Sequence, residues 1–313
     1  VRIIDLHCDT ILRLMGDKDK LVLKQNKFQV DIEKLKQGNS LAQFFALYVD
    51  LNEERDPMET CLEMLDKFYL ELDKNHESIA LARNYDEISK NDEEGRISAL
   101  LTIEEGGVLK GELSHLRNLY RLGVRLITLT WNYPNEIGYP NALEDCQHKG
   151  LTRFGEELVT EMNTLGMIID VSHLSDQGFY DVARISSKPF VASHSNARHV
   201  MHHTRNLTDD MIRVLANKGG IMGINFEKLF LGNDPVSKVD NMIRHIEHIR
   251  NVGGIEVISI GTDFDGISPG WEIPHIGEMD KLVKGLEDHG FHQDEIEKIC
   301  YKNTLRVIKE VMR

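Results

Sequence analysis

Short apolar runs rich in β-branched residues alternate with amphipathic stretches along almost the whole chain. The runs predict strands at Ile3–His7, Gln43–Val49, Ile97–Ile103, Val124–Thr130, Met167–Ser172, Phe190–Ser193, Gly220–Phe226 and Val257–Thr262. Between them, apolar residues recur at helical spacing, predicting helices such as Met58–Leu72, Leu113–Leu122, Arg153–Leu165, Asp176–Ile185, Asp209–Asn217 and Val239–Asn251. The strand runs are apolar on both faces, as expected for strands with core on one side and helices on the other. Gly123, Gly166 and the Gly219-Gly220 pair stand where helices should stop and strands begin. Eight strands with helical crossovers predict an α/β fold, a parallel sheet closed into a (β/α)8 TIM-type barrel. Two further amphipathic segments, Asp280–Asp288 and Asp294–Met312, read as closing helices. No repeat, low-complexity tract or Pro/Ser-rich linker interrupts the pattern, so a single domain over residues 1–313 is expected.

Charge narrows the choice of partner. A formal net charge of −14 argues against nucleic acid and anionic membranes, both of which call for a basic face. A small-molecule substrate is the remaining expectation. No run approaches the roughly 18–20 consecutive apolar residues of a membrane span. Val1–Asp5 is too short and too soon charged for a signal-peptide core, and the C-terminus is a charged helical pattern rather than an anchor tail. The four cysteines (Cys8, Cys61, Cys146, Cys300) are scattered and show no paired zinc spacing. A reduced, cytoplasmic setting is the expectation.

Candidate chemistry sits at the strand ends. In a parallel barrel the active site lies at the carboxyl ends of the strands, so polar residues there are read as functional first. Five runs end on metal-ligand residue types: His7-Cys8-Asp9, Glu104-Glu105-Gly106-Gly107, His173, His194, and Asp263-Phe264-Asp265-Gly266. Strand side chains alternate, so His7 and Asp9 should share a side while Cys8 packs the other way. His173 and His194 are about one strand–helix unit apart, and adjacent strands would present them side by side. A lone histidine or carboxylate in such a place is an ordinary polar strand end; five at one mouth suit a metal centre.

These residues, in this order, resemble the renal (membrane) dipeptidase family, zinc metallopeptidase family M19, within the amidohydrolase-like superfamily. The resemblance is carried by His7-Cys8-Asp9, Glu105-Gly106-Gly107, Asp170-Val171-Ser172-His173, Ser193-His194-Ser195, Arg205-Asn206 and Asp263-Phe264-Asp265-Gly266. It extends through connecting text such as Leu119-Tyr120-Arg121-Leu122-Gly123 and Asn303-Thr304-Leu305-Arg306-Val307. It implies two Zn2+ per chain, one held by His7 and Asp9, the other by His173 and His194, with Glu105 bridging. Glu104 would then be a supporting carboxylate. It further implies hydrolysis of free dipeptides, L,L and L,D, by a metal-bridging hydroxide, with Asp263 as proton shuttle. Arg205 would anchor the substrate carboxylate, for which a guanidinium offers a planar two-pronged donor. The resemblance also suggests a homodimer.

One departure bears on the chemistry. The family carries a histidine after its fourth strand that helps bind the developing oxyanion, whereas this chain reads Thr130-Trp131-Asn132. Either the Trp131 indole N–H or Asn132 substitutes, or the metals carry that load. Two rival readings follow: a metal barrel acting on another amide or ester, such as an N-acyl amino acid or a lactone, and a catalytically weak metal-binding homologue. Asp265 reads as a turn residue or a carboxylate supporting the site from behind, and His202-His203 as a solvent-exposed loop. Gly266-Ile267-Ser268-Pro269-Gly270 mimics a serine-hydrolase elbow, but Pro269 lacks the backbone N–H that an oxyanion hole there requires.

Overall fold

The computed structural model describes residues 1–18 and 20–313. Its strands are β1 (Ile3–Cys8), β2 (Ser40–Tyr48), β3 (Ile79–Leu81), β4 (Ile97–Glu104), β5 (Val124–Thr128), β6 (Ile168–Asp170), β7 (Val191–Ala192), β8 (Ile221–Ile224) and β9 (Ile258–Ile260). All their pairings are parallel. The order β2-β1-β9-β8-β7-β6-β5-β4 closes through a β2–β4 ladder, giving the eight-stranded barrel expected from the sequence. The short β3 pairs with the start of β4 outside this ring. It lies outside the eight strands that the sequence predicts.

Helices pack around the ring, and several start where a side chain takes up the free N–H groups of the first turn. Asp56 accepts from Met58 and Glu59, Thr152 from Gly155, Ser175 from Gly178, and Thr208 from Met211. Gly166, at φ +79°, ends the helix Arg153–Leu165 in the left-handed region, as the sequence anticipates.

The interior floor of the barrel takes Ile4 and Leu6 from β1, Ala42 and Phe44 from β2, and one apolar residue each from β4 to β8. Val307, Ile308 and Val311 of the helix Asn303–Val311 pack against it. Asn303 ties that helix to the barrel by donating to Ile255 O and Ile258 O, both at 2.8 Å. The helix Asn303–Val311 therefore plugs the end opposite the strand carboxyl termini, whereas Leu282 and Leu286 of Asp280–Asp288 pack in the outer layer. A larger buried cluster lies between the strands and the outer helices. At the open mouth β1 and β4 run one residue further than predicted, while β2 and β5 to β9 stop earlier. There the backbone turns to side chains instead of a neighbouring strand: Ser172 N, for example, donates to Asp170 Oδ1.

Candidate metal centre

The mouth is built by phase breaks in the strands. Along β1, Asp5 pairs with Gln43 and Cys8 with Phe45, so three steps on β1 face two on β2. This one-residue bulge resets the alternation beyond Leu6, which faces the floor, and aims His7 and Asp9 into the mouth. Cys8 consequently packs outward, fully buried, as expected. Four non-glycine residues at the mouth take left-handed φ values: Glu105 (118°), His173 (68°), Asp263 (61°) and Asp265 (70°). Such conformations cost of order 1–3 kcal/mol each and persist where surrounding contacts over-determine them.

The clearest difference from the sequence reading concerns the two glutamates. Leu100 faces the barrel floor, so Thr102 and Glu104 share its side of β4. Glu104 thus enters the mouth, with Oε1 at 3.1 Å from His173 Nε2 and 3.4 Å from His194 Nε2. Its Oε2 lies 3.4 Å from His7 Nε2. Glu105 turns away at its positive φ and accepts from Gly107 N (2.7 Å), Trp131 N (2.8 Å) and the Asn135 amide. It braces the loop after β5 and stands outside the cluster.

The cluster itself is compact. His7 Nε2 lies 3.4 Å from Asp9 Oδ2 and 3.8 Å from Asp263 Oδ1, and His173 Nε2 faces His194 Nε2 at 3.1 Å. Three overlapping sets each place their ligand atoms within 4.8 Å of one another: His7, Asp9 and Glu104; Glu104, His173 and His194; His7, His194 and Asp263. Buried polar atoms ordinarily find hydrogen-bond partners. Here His7 Nε2, Asp9 Oδ1 and Glu104 Oε1 have none of good geometry among the described residues. Gly266 keeps the space open, since a Cβ there would stand 2.2 Å from Asp9 Oδ2 and 2.8 Å from Asp263 Oδ1. Imidazole nitrogens and carboxylates converging on shared space fit divalent zinc-type cations.

Protonation follows the same geometry. Burial alone would disfavour a charge on His7, but the carboxylates of Glu104 and Asp9 outweigh it and raise its pKa well above the ordinary value. Burial and neighbouring positive charge push His173 down to about 4 and His194 well below its usual value. Neutral imidazoles are the form that binds metal. Glu104 stays well below the usual carboxylate range, its burial overcome by the surrounding histidines. Asp263 is pushed up to about 7, first by burial and then by Asp9 and Glu104 against the lowering effect of His7. Asn225 Nδ2 donates to its Oδ2 at 2.9 Å.

Above the cluster opens a cavity of about 380 Å³. Arg205, Trp131, Asn132, Tyr48, Asp263 and Glu104 are among the residues that line it. Arg205 is buried, and its Nη2 donates to His194 O at 3.2 Å while Nε has no partner among the described residues. Its guanidinium carbon sits 5.5 Å from the Phe230 ring centroid. Asn132 Oδ1 meets His173 Nδ1 at 3.1 Å, and Trp131 packs edge-on against Tyr48 with centroids 4.8 Å apart.

One placement differs from the loop reading. His203 is half-buried; its Nδ1 accepts from Arg205 N at 3.1 Å and its ring packs on Phe230. Nothing in the spacing signals this, because it depends on loop backbone. His202 is exposed, as expected. Asp265 is a bracing residue as read: it accepts from Thr10 Oγ1 (2.6 Å) and Gln29 N (2.7 Å).

Comparison with known proteins gives the family. A family model of the membrane dipeptidases, peptidase family M19, matches residues 1–313. An uncharacterised protein of Klebsiella pneumoniae in the pqqA 5′ region is 34% identical over 229 residues, 70% of this chain and 84% of its own. Dipeptidase aclJ of Aspergillus oryzae is 30% identical over 295 residues, 90% of this chain and 70% of its own. A metallo peptidase from Rhodobacter sphaeroides, solved with a phosphinate mimic of the dipeptide L-Ala-D-Ala, aligns at a TM-score of 0.92 and 26% identity over 99% of both chains. Among the described residues no helix is long and apolar enough to cross a membrane. With the family match running over residues 1–313, the chain belongs to the membrane dipeptidase family, peptidase family M19, and is a metallopeptidase of the dipeptidase type.

Proposed function

We propose that the chain is a binuclear zinc dipeptidase in which Glu104, not Glu105, bridges the two ions. His7 and Asp9 complete one position, His173 and His194 the other. The observation that carries this reading is the division of Glu104: Oε1 faces His173 and His194, and Oε2 faces His7. When bound, such a pair supplies a hydrolytic nucleophile at neutral pH and polarises the scissile carbonyl.

The remaining steps belong to side chains. Asp263 Oδ1 looks toward the cluster while Asn225 fixes Oδ2. It is therefore positioned to take the nucleophile's proton and deliver it to the leaving amine, without which an amide nitrogen leaves poorly. Arg205 anchors the substrate's C-terminal carboxylate; its buried charge and unpartnered Nε favour an anion in the cavity. Fixing that carboxylate beside the cluster limits the substrate to two residues. Asn132 holds the His173 ring, and the Trp131 ring walls the cavity. The ligand of the Rhodobacter relative supports acceptance of a D-residue at the C-terminal position, so both L,L and L,D dipeptides are assigned as substrates.

The decisive test is elemental analysis of paired variants. Wild type should hold about two zinc ions per chain, Glu104→Gln should lose at least one, and Glu105→Gln should retain both. Full zinc in Glu104→Gln would overturn the bridge. For the anchor, free dipeptides should be cleaved and C-terminally amidated ones should not; equal rates on both would remove Arg205 from the role.

A further inference from the structure

We propose a second, peripheral cation site of the zinc class, formed by His199, Asp209 and His248 on the outside of the barrel. The three come from separate elements: His199 from the loop after β7, Asp209 from the first turn of the helix Asp209–Asn217, and His248 from the helix Val239–Gly253. Each offers one ligand atom, and the three atoms lie within 4.8 Å of one another. None of the three belongs to the mouth cluster.

The arrangement is more ordered than a chance surface trio. The His199 and His248 rings are stacked with centroids 4.6 Å apart and planes 2° from parallel, so the rings are adjacent, and the exposed His199 ring has to turn for both lone pairs to meet one cation. His248 Nε2 is 2.7 Å from Asp209 Oδ1, so the carboxylate already orients that ring. A carboxylate beside a ligating imidazole is a recurrent feature of zinc sites, whether it coordinates directly or fixes the ring from behind. Two imidazoles and one carboxylate suit Zn2+, Ni2+ or Cu2+ rather than Mg2+ or Ca2+, which favour oxygen ligands. His199 is exposed, which leaves one side of the site open for water ligands and lets the ring adjust to a cation.

The site has a structural consequence. The loop from Ala197 to Leu207 begins at Ala197, whose N–H donates to His245 Nδ1 on the helix Val239–Gly253 at 3.0 Å. His199 and His248 join the same loop to the same helix about one turn further on. A cation between them clasps the loop that carries Arg205. That coupling rests on the carboxylate-anchor reading of Arg205; the cation site does not.

The test uses the zinc-loaded enzyme, freed of loosely held metal and titrated with Zn2+ against a chromophoric chelator. Wild type should take up one further equivalent beyond the mouth complement. His199→Ala and His248→Ala should each weaken that step at least tenfold, and the double variant should abolish it. All three should keep the mouth complement and unsupplemented dipeptide turnover. His199 is exposed, so its variant keeps the test sound even if His248→Ala folds poorly. His202→Ala, on the same loop but outside the trio, should retain the extra equivalent. Equal uptake by wild type and the double variant would overturn the site. A mouth that holds one ion instead of two shifts the baseline and leaves this difference intact. Amide hydrogen exchange across residues 197–207 should slow with the extra equivalent in wild type only; unchanged exchange would overturn the clasp.

Discussion

His194 holds its two ring nitrogens in unlike surroundings. Nε2 faces the cluster, while Nδ1 meets Ser193 Oγ at 2.7 Å. Asp170 accepts from Ser193 Oγ (2.5 Å), Thr128 Oγ1 (2.7 Å), Ser193 N (2.8 Å) and Ser172 N (3.0 Å). With its hydrogen given to Asp170, the Ser193 oxygen can only accept from Nδ1–H, which leaves the Nε2 lone pair directed into the cluster. Asp170 is thus a positioning residue acting through Ser193. Asp170→Asn should weaken zinc affinity by about 10–100-fold, and Ser193→Ala should give a similar loss without disturbing Thr128. Chelator competition measures both; wild-type affinity in the pair would remove the relay. Residue types at the mouth were legible in the sequence, because His7, Asp9, His173, His194 and Asp263 each close an apolar run. The choice between Glu104 and Glu105 was not. It depends on strand phase, and β4 is buried on both faces, so its polarity pattern conceals which side looks inward. A second clue, Ser98-x-Leu100-x-Thr102-x-Glu104 as one side, becomes readable only once Leu100 is known to face the floor.

Between strands, two close approaches set the ring's shape near the site. A Cβ on Gly261 would lie 1.8 Å from Ser193 O, and one on Gly223 would lie 2.0 Å from the same oxygen. These glycines let β8 and the end of β9 close in beneath the peptide that carries His194. Gly261→Ala must push that peptide aside, at a cost on the scale of core overpacking, about 1–3 kcal/mol or more. Because the displaced backbone leads into His194, zinc retention should fall together with the urea midpoint. Gly290→Ala is the contrast: its φ is +80° with nothing within 4 Å of a new Cβ, so only backbone strain of about 1–2 kcal/mol is expected with zinc content unchanged. Wild-type stability in Gly261→Ala would show that the approach is not a constraint. All eight barrel strands and the principal helices were legible, because even the short β6, β7 and β9 lie inside the longer runs Met167–Ser172, Phe190–Ser193 and Val257–Thr262 between helical stretches. The β1 bulge and β3 were not. A bulge is a property of pairing between strands, and β3 pairs outside the ring, where the alternation of eight strands and helices leaves no place for it.

Over the whole molecule, the cost of assembling the mouth bears on stability. Glu104, Asp9, His7 and His194 are all nearly or fully buried, and Asp263 is largely so. Withdrawing several ionisable groups from water carries a desolvation penalty that their mutual contacts only partly offset. Within the cluster His7 Nε2, Asp9 Oδ1 and Glu104 Oε1 lack hydrogen-bond partners of good geometry among the described residues. Zinc bound to the folded chain alone would supply that satisfaction and stabilise by mass action, about 2.7 kcal/mol when free metal is a hundredfold above its Kd. Removing metal with a chelator should therefore lower Tm by several degrees in calorimetry, with full recovery on adding Zn2+. The shift should grow with the logarithm of free zinc, and Glu104→Gln should blunt it because the bridging carboxylate is gone. Peripheral binding at His199 and His248 would add a smaller increment, reduced by His199→Ala and removed by the double variant, which separates the two sites in one melting series. Identical Tm with and without chelator would mean that the buried charges are satisfied within the protein, and the metal reading of the mouth would then lose its thermodynamic basis.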